Sequence, residues 1–284
     1  MKGGRQGEMP YWVAVSIKVV SYAILIALAL AMFIPFLWSL STSLKAAGDV
    51  HQWPPSFIPD QPTLDAYRTV LTEVPFPRWF LNSFLVATIV TAANLLLCSM
   101  AGYALARIRF RGRGALFMVI LATMMIPAQI TMIPVFRILQ GIGLVNSYGG
   151  LIIPFIASTF GIFLMKQFFE SVPRELEEAA MLDGCSRFRI FWNVILPLAR
   201  PALAALTIFT FLGNWNSFMM PLIIVSDPEL STLPIGLAMF RGEYFTDWPV
   251  LMAASVLIIA PVAFLYLFLQ RYFVEGIAHT GIKG

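Results

Sequence analysis

The chain has 284 residues, of which 59% are hydrophobic and only 12% are charged, and its mean hydropathy is +0.80. Soluble domains are about 45–50% apolar and about 25% charged, so this chain lacks the charge that a water-exposed surface needs. The net charge of +4 does not indicate a nucleic-acid partner, because the basic residues follow the membrane pattern described below. The composition therefore predicts an all-α integral membrane protein.

Six apolar stretches are long enough to cross a bilayer as helices, which takes roughly 20 residues each. The apolar run 19–40 exceeds the roughly 7–15 residues of a signal-peptide core, and no small-residue cleavage site follows it. We therefore expect six transmembrane helices, of which the first is retained. They lie at 13–39, 80–106, 115–136, 148–169, 201–225 and 249–270.

Lysine and arginine predict the orientation of these spans. If the N-terminus is cytoplasmic, 14 of these residues fall inside and 5 outside, whereas the acidic residues split almost evenly. We therefore expect both termini in the cytoplasm. The outside group is Lys45, Arg68, Arg78, Arg137 and Arg241, and the inside group is Lys2, Arg5, Lys18, Arg107, Arg109, Arg111, Arg113, Lys166, Arg174, Arg187, Arg189, Arg200, Arg271 and Lys283.

The spans divide the chain into three regions. Residues 1–79 hold the N-terminal cytoplasmic segment, the first span and an outside loop whose six prolines favour extended structure with short turns. Residues 80–272 form a five-helix core, in which Pro127 and Pro134 should kink the third span. Residues 273–284 form a cytoplasmic tail.

The inside segment 171–200, here called the elbow, is predicted to form two helices joined by a turn. Pro173 suits a first helical turn, and the acidic run 175–178 follows where the helix dipole favours negative charge. Asp183 and Gly184 should end this helix, since glycine adopts the left-handed cap conformation at least cost. The expected apolar face of the first helix is narrow and consists of Leu176, Ala179 and Ala180.

The second helix of the elbow should start near Ser186 and carry a bulky apolar stripe. Small residues on the first helix would permit close approach of another protein surface, and its carboxylates would suit a basic groove. The periodicity alone is equally compatible with two helices lying on lipid headgroups, although an acidic helix is a poor match for an anionic leaflet. The stripe consists of Phe188, Phe191, Trp192 and Ile195.

The elbow resembles the signature loop of permease subunits in ATP-binding cassette importers. In those subunits, Glu-Ala-Ala, three residues, Gly, nine residues and Ile-x-Leu-Pro follow one another. Here Glu178-Ala179-Ala180, Gly184 and Val194-Ile195-Leu196-Pro197 have the same spacing, with valine in place of the first isoleucine and Cys185 in place of a frequent alanine. The segments 62–67, 143–148, 214–221 and 273–284 are similar to the smaller, six-helix permease of maltose-type carbohydrate importers.

The resemblance implies a type I importer permease in a prokaryotic inner or plasma membrane. Its expected partners are a second permease subunit, two ATPase subunits that bind ATP and Mg²⁺, an extracytoplasmic solute-binding protein and membrane lipid. No cofactor is expected on this chain, and no catalytic or metal site. The implied ATPase-coupling residues are Glu178, Ala179, Ala180, Asp183 and Gly184, and the implied ATPase-contacting tail residues are Glu275, Gly276 and Lys283.

Polar residues inside the spans are candidates for lining a pathway. Such groups must find partners, which a water-filled cavity or a neighbouring helix can supply. Trp215 could stack on a sugar ring or be a buried tryptophan. The candidates are Asn94, Gln129, Asn214 and Asn216, with Asn82 as a further intramembrane amide.

The arginines at 107, 109, 111 and 113 have two interpretations. They could form a phosphate site, or they could anchor the topology by touching anionic headgroups, which is the interpretation we favour. A dinucleotide loop is excluded, since no strand precedes the glycines.

Two other functional classes remain as alternatives. An ion-gradient-driven transporter usually keeps ionisable residues at the midplane and often contains inverted repeats, and neither is found here. A membrane enzyme needs convergent nucleophiles, carboxylates or metal ligands, whereas the two histidines are solitary and the acids lie in loops. Among importer substrates, the sequence does not separate oligosaccharides, monosaccharide derivatives and glycerol phosphates.

Overall fold

The computed structural model of the chain describes residues 11–239 and 247–280, with residues 271–280 described as backbone only. Within these ranges every regular element is a helix, as the sequence predicts. The α-helices are α1 (Tyr11–Ser43), α2 (Asp65–Thr72), α3 (Phe76–Arg107), α4 (Arg113–Thr123), α5 (Ala128–Gly141), α6 (Tyr148–Ile152), α7 (Thr159–Ser171), α8 (Glu175–Leu182), α9 (Arg187–Ile190), α10 (Leu196–Leu198), α11 (Arg200–Trp215), α12 (Met219–Ile224), α13 (Leu233–Met239) and α14 (Trp248–Thr280).

Four helical stretches are long and apolar enough to cross a membrane, and the third of them consists of α6, a short 3₁₀ turn and α7. They run over Val15–Ser43, Phe76–Arg107, Tyr148–Ser171 and Trp248–Gln270, and they coincide with the first, second, fourth and sixth predicted spans. Two bent helix pairs pass the same criterion when each pair is taken together. The described residues therefore hold four spans, or up to six if each bent pair is one span.

The third predicted span is broken rather than kinked. Its two halves, α4 and α5, meet at 101°, with the break between Thr123 and Ala128. Pro127 lies at this break because proline has no N–H to donate and disfavours helical backbone in the residue before it. Pro134 lies inside α5 without ending the helix.

The fifth predicted span is also shorter than expected. Helix α11 ends at Trp215, and a separate short helix, α12, begins at Met219. The segment preceding α11, Arg187–Leu198, meets it at 78°. The backbone therefore turns at both ends of α11, and residues 216–225 do not continue it.

The described residues form two compact units, 11–70 with 247–256 and 71–239 with 257–280. In the first unit, the backbone N–H of Thr63 donates to the carbonyl of Leu44, and the Ser43 and Tyr67 hydroxyls lie 2.8 Å apart. The loop between them contains a 3₁₀ turn over Asp49–His51 and is otherwise irregular. Helix α2 was not predicted, and it forms in the proline-free stretch between Pro62 and Pro75.

In the second unit, α3 packs against α7 and α11. Small residues permit this close approach, as is typical of helices packed in lipid. A Cβ atom added at Gly102 would lie 2.8 Å from the backbone nitrogen of Lys166, and one at Gly161 would lie 2.8 Å from the sulfur of Cys98. The glycines thus set the spacing between α3 and α7.

We predict that Gly102→Ala lowers the stability of the solubilised protein by about 1–3 kcal/mol, because the added methyl group overpacks this contact. Gly114→Ala is the matched control, since a Cβ there meets nothing within 4 Å. Thermal unfolding in detergent measures the difference. Equal melting temperatures for both variants would show that α3 and α7 do not pack as described.

Candidate functional site

The elbow has the predicted helix–turn–helix form. Helix α8 is followed by Gly184 in the left-handed conformation, with φ +79°. Ser186 then caps α9, because its hydroxyl accepts a hydrogen bond from the N–H of Arg189 at 3.4 Å. A π-helical turn over Phe191–Ile195 joins α9 to α10. The turn residue and the second helix start are therefore where the sequence predicts them.

The predicted apolar face of α8 is divided between the surface and the interior. Ala180 is buried, but Leu176 and Ala179 are exposed. The buried partner of Ala180 is Glu177, three residues earlier and hence on the same side of the helix. The helix is therefore oriented with Glu177 and Ala180 towards the rest of the protein, where a positively charged side chain lies against Glu177.

The counter-charge is Arg107 at the end of α3. Its Nε lies 2.9 Å from Oε1 of Glu177, and the two side chains are only 3% and 6% exposed. The Tyr103 hydroxyl donates to the other carboxylate oxygen of Glu177 at 3.4 Å, and the Arg107 guanidinium also donates to the carbonyl of Val172. The elbow is thus held to α3 by a buried ion pair with two supporting hydrogen bonds.

The bulky stripe of the second elbow helix is divided between the interior and the surface. Phe191 and Ile195 are buried, and the Phe191 ring lies 5.1 Å from that of Tyr103. Phe188 and Trp192 are exposed and contact each other, with ring centroids 6.0 Å apart. Half of the stripe anchors the elbow, and the other half is free to contact a partner or lipid.

The outward side of α8 presents the remaining coupling candidates. Glu178, Ala179, Asp183 and Gly184 are all exposed, and Leu182 between them is 90% exposed. A leucine so exposed in water has no stabilising contact in the isolated chain. Sequence reasoning missed Leu182, Arg107 and Glu177; the i, i+3 relation of Glu177 to Ala180 was the available signal for the last.

The arginine cluster does not form one site. Arg107 is used by the ion pair, and Arg113 donates to the carbonyls of Ala106 and Ile108 at 3.4 and 3.5 Å. Arg109 lines a cleft of about 430 Å³ next to the elbow. The cleft is also lined by Arg107, Ile108, Arg174, Glu177, Glu178, Met181 and Arg187.

Two of the four pathway candidates come together. Asn94 and Asn214 line one cleft of about 230 Å³, with Thr210 and the rings of Phe155, Phe160 and Phe209. Asn94 is buried and donates to the carbonyl of Phe155 at 2.6 Å. Asn214 is half-buried and donates to Thr210 at 2.8 Å. Gln129 and Asn216 are exposed and do not line this cleft.

Asn82 and Trp215 are structural. The Asn82 amide donates to the carbonyls of Glu229 and Ser231 at 2.8 and 2.9 Å and accepts from the Tyr148 hydroxyl. Trp215 is 1% exposed, with the Phe211 ring stacked on it and the edge of Phe80 against it. Its ring is therefore not available to a sugar in this structure.

The tail candidates are largely beyond what the structure describes. Glu275 and Gly276 lie in the backbone of α14, where no side chain is described, and Lys283 lies outside the described residues. Among the described residues, no group of three or more His, Cys, Asp or Glu could hold a metal ion.

Apolar spanning helices joined by an acidic elbow that is locked to the bundle define a membrane transport subunit. Residues 95–279 match the family described as the binding-protein-dependent transport system inner membrane component. The chain belongs to this family. It is a non-catalytic permease subunit of an ATP-binding cassette importer.

The relatives agree with this assignment along most of the chain. The arabinooligosaccharides transport system permease protein AraQ of Halalkalibacterium halodurans is 38% identical, with 92% of this chain and 90% of that protein covered. The sulfoquinovosyl glycerol permease protein SmoH of Agrobacterium fabrum is 36% identical, over 88% of each chain. The sn-glycerol-3-phosphate permease protein UgpE of Pectobacterium atrosepticum is 33% identical, over 93% of this chain and 97% of that protein.

Solved structures have the same fold. A chain of a bacterial ABC transporter involved in the import of the acidic polysaccharide alginate matches with a TM-score of 0.83 and 28% identity, over 94% of this chain and all of that one. A second chain comes from the alginate transporter in complex with its pentasaccharide-bound periplasmic protein. It matches with a TM-score of 0.61 and 17% identity, over 92% and 96% of the two chains, and supports the fold alone.

We predict that Arg107→Met or Glu177→Met alone destabilises the protein by about 3–5 kcal/mol, because each leaves a buried charge unpaired. The double variant should recover most of this loss. The exposed pair Arg78–Glu229, at 3.8 Å, is the control and should contribute about 0–1 kcal/mol. Thermal unfolding of the six variants measures both cycles, and additive losses at Arg107 and Glu177 would contradict the ion pair.

Proposed function

We propose that this chain forms one half of the translocation pathway of an importer for a carbohydrate or a related polyol or glycerol phosphate, and that its elbow transmits the motion of ATPase subunits. The observation that carries the proposal is the orientation of α8. Its buried side is fixed to α3 by Arg107 and Glu177, and its other side presents Glu178, Ala179 and Leu182 to solvent.

A coupling element needs an inner side that is held rigidly to its own subunit and an outer side that binds a partner subunit. The ion pair supplies rigidity, because breaking it would leave two buried charges without a partner. The outer side combines a small residue, a large aliphatic residue and a carboxylate, which suits a groove with apolar walls and a basic residue. We assign that groove to an ATPase subunit, which would bind the ATP and Mg²⁺.

The remaining partners follow from the family. An inner membrane component of a binding-protein-dependent system requires an extracytoplasmic binding protein, and a related fold is found in a complex with such a protein. A second permease subunit would complete the pathway. We retain six spans, with both termini on the cytoplasmic side, because the lysine and arginine distribution places the elbow on the same side as the termini.

The cleft between α3, α7 and α11 is our candidate for the pathway wall. Asn94 on α3 and Thr210 and Asn214 on α11 give the cleft polar atoms, which lie next to aromatic rings. Amides and rings together suit hydroxylated solutes, which present both hydrogen-bonding groups and C–H faces. The relatives are named for arabinooligosaccharides, sulfoquinovosyl glycerol and sn-glycerol 3-phosphate, and hydroxyl groups on a carbon chain are what these compounds share.

The ion-gradient alternative receives no support from the described residues. Their buried charges within the spans are few. Lys166 pairs with Glu170 at 2.7 Å one turn along α7, and Arg107 pairs with Glu177 at the end of α3. A chain of unpaired acids through the bundle, which proton or sodium coupling would need, is not found among them.

We predict that Glu178→Ala abolishes substrate-stimulated ATP hydrolysis in the assembled transporter without changing insertion or stability, because Glu178 is exposed in the isolated chain. Glu178→Gln separates the charge from the shape of the side chain. Glu229→Ala is the control, because Glu229 is an exposed carboxylate at the other end of α3. Normal stimulation in Glu178→Ala would remove the coupling role.

We predict a second loss of stimulation for Gly184→Val, through backbone conformation rather than contact. The left-handed backbone at φ +79° costs a residue with a Cβ about 1–2 kcal/mol, and a Cβ there meets nothing within 4 Å. Gly184→Asn is the matched control, because asparagine tolerates this conformation. Stimulated ATPase activity of the complex should therefore fall in the order Gly, Asn, Val.

We predict that Asn214→Ala reduces transport with little change in the melting temperature of the complex. Among the described residues its amide bonds only to a carbonyl of its own helix, so its loss leaves no described neighbouring helix unpaired. Asn82→Ala, in contrast, should destabilise the protein, since two loop carbonyls and the Tyr148 hydroxyl would lose their partner. Uptake into proteoliposomes and thermal unfolding separate the two effects.

A further inference from the structure

A cavity of about 620 Å³ lies at the C-terminal end of α1, within the unit formed by residues 11–70 and 247–256. This volume falls in the range of about 300–1,000 Å³ that is typical of ligand sites. Neither the coupling role nor the pathway uses it. Its lining includes Ile34, Trp38, Thr42, Lys45, Trp248 and Met252.

Lys45 is the unusual member of this lining. Its side chain is buried, with the residue only 4% exposed. Its ammonium donates to the carbonyl of Ser56 at 2.5 Å and lies 5.0 Å from the centre of the Trp38 ring. An ammonium has three hydrogens to donate, yet no ion pair joins Lys45 to a carboxylate among the side chains described in residues 11–239 and 247–270. A buried cation without a counter-charge is costly.

A second group in the same cavity also lacks a partner. Thr42 is 5% exposed, and its hydroxyl has no hydrogen-bond partner among the described residues. It lies three residues before Lys45, at the last turn of α1. A cation and a hydroxyl donor, both buried and both incompletely satisfied, converge on one cavity. An anionic oxygen ligand would satisfy both of them.

Apart from Ser39 and His51, the rest of the cavity is apolar, and it lies at a membrane boundary. Ile34, Pro35 and Met252 line its walls, and the preceding part of α1 is apolar and exposed. Trp38 and Trp248 lie at the ends of two candidate spans, Val15–Ser43 and Trp248–Gln270. Tryptophan at this position is typical of the headgroup level of a bilayer. A ligand here would have its charged end beside Lys45 and an apolar part along α1.

We propose that this cavity binds an anionic phospholipid, whose phosphate is held by Lys45 and Thr42 and whose acyl chains lie against α1. The apolar walls favour a lipid over a free phosphate ion, which would gain nothing from Ile34 or Met252. Under the topology proposed above, the site belongs to the extracytoplasmic leaflet. It also explains why the one lysine of the outside group is buried instead of hydrated.

The test uses the complete transporter in nanodiscs of phosphatidylcholine alone or mixed with phosphatidylglycerol. Native mass spectrometry of the released complex counts retained phosphatidylglycerol, and titration gives its affinity. Lys45→Gln should weaken binding on the order of tenfold, the effect of losing one charged hydrogen bond. Thr42→Val should weaken it less. Lys18→Gln is the matched control, because Lys18 is an exposed lysine at the opposite end of the same helix.

The outcomes that overturn the proposal are distinct. Equal losses in Lys18→Gln and Lys45→Gln would mean general attraction of headgroups and no built site. Displacement of the lipid by inorganic phosphate would mean a free-anion site. If Lys45→Met prevents assembly with the second permease in every lipid mixture, a carboxylate of that subunit occupies the cavity instead. If Lys45→Met assembles stably and its stability does not change when phosphatidylglycerol is added, the lipid site is supported. Neither result bears on the coupling role of Glu178.

Discussion

The ion pair between Arg107 and Glu177 is the interaction on which the functional surface depends. It connects the last residue of a long membrane helix to the first turn of the elbow, and it is almost completely buried. Attraction between charges is strong in a poorly polarisable interior, and the geometry is supported by Tyr103 and by the carbonyl of Val172. Under the coupling role proposed above, a force on the outer side of α8 would be passed to α3 through this pair.

Helix α3 is then the central element of the second unit. It packs on α7 and α11 through a contact that glycine makes possible, and it carries Asn94 on the pathway cleft and Arg107 at the elbow. The candidate pathway and the candidate coupling surface are therefore attached to the same helix. This connection is a physical basis for the coupling proposed above, in which a displacement of the elbow would move the wall of the cleft.

The surfaces left without partners are informative for the same reason. Leu182 and Phe188 on the elbow and the largely apolar residues 19–38 of α1 are exposed in the isolated chain. In a membrane transporter such surfaces are covered by lipid or by other subunits, since water is the worst available neighbour for each of them. Lys45 and Thr42 show the opposite combination, because they are polar side chains that are buried in the isolated chain.

Local patterns were sufficient for much of this molecule. Apolar length identified the four long spans, and the glycine of the elbow turn and the serine cap of its second helix were predicted because caps and turns depend on a few neighbouring residues. The acidic elbow itself, and with it the family, were also readable from the sequence. The angle of the break at Pro127 was not, since proline permits a range of bends and the packing around it selects one.

By itself, then, the sequence determined that the chain lies in a membrane, that it is helical, where its elbow lies and to which family it belongs. These properties follow from composition, periodicity and short motifs. Only the tertiary structure decided which side of α8 is buried, that Glu177 and not Leu176 accompanies Ala180, that Asn94 and Asn214 share a cleft, and that Trp215 packs against Phe80. Each of these depends on a residue distant in the chain, such as Arg107, whose position relative to the helix no local pattern encodes.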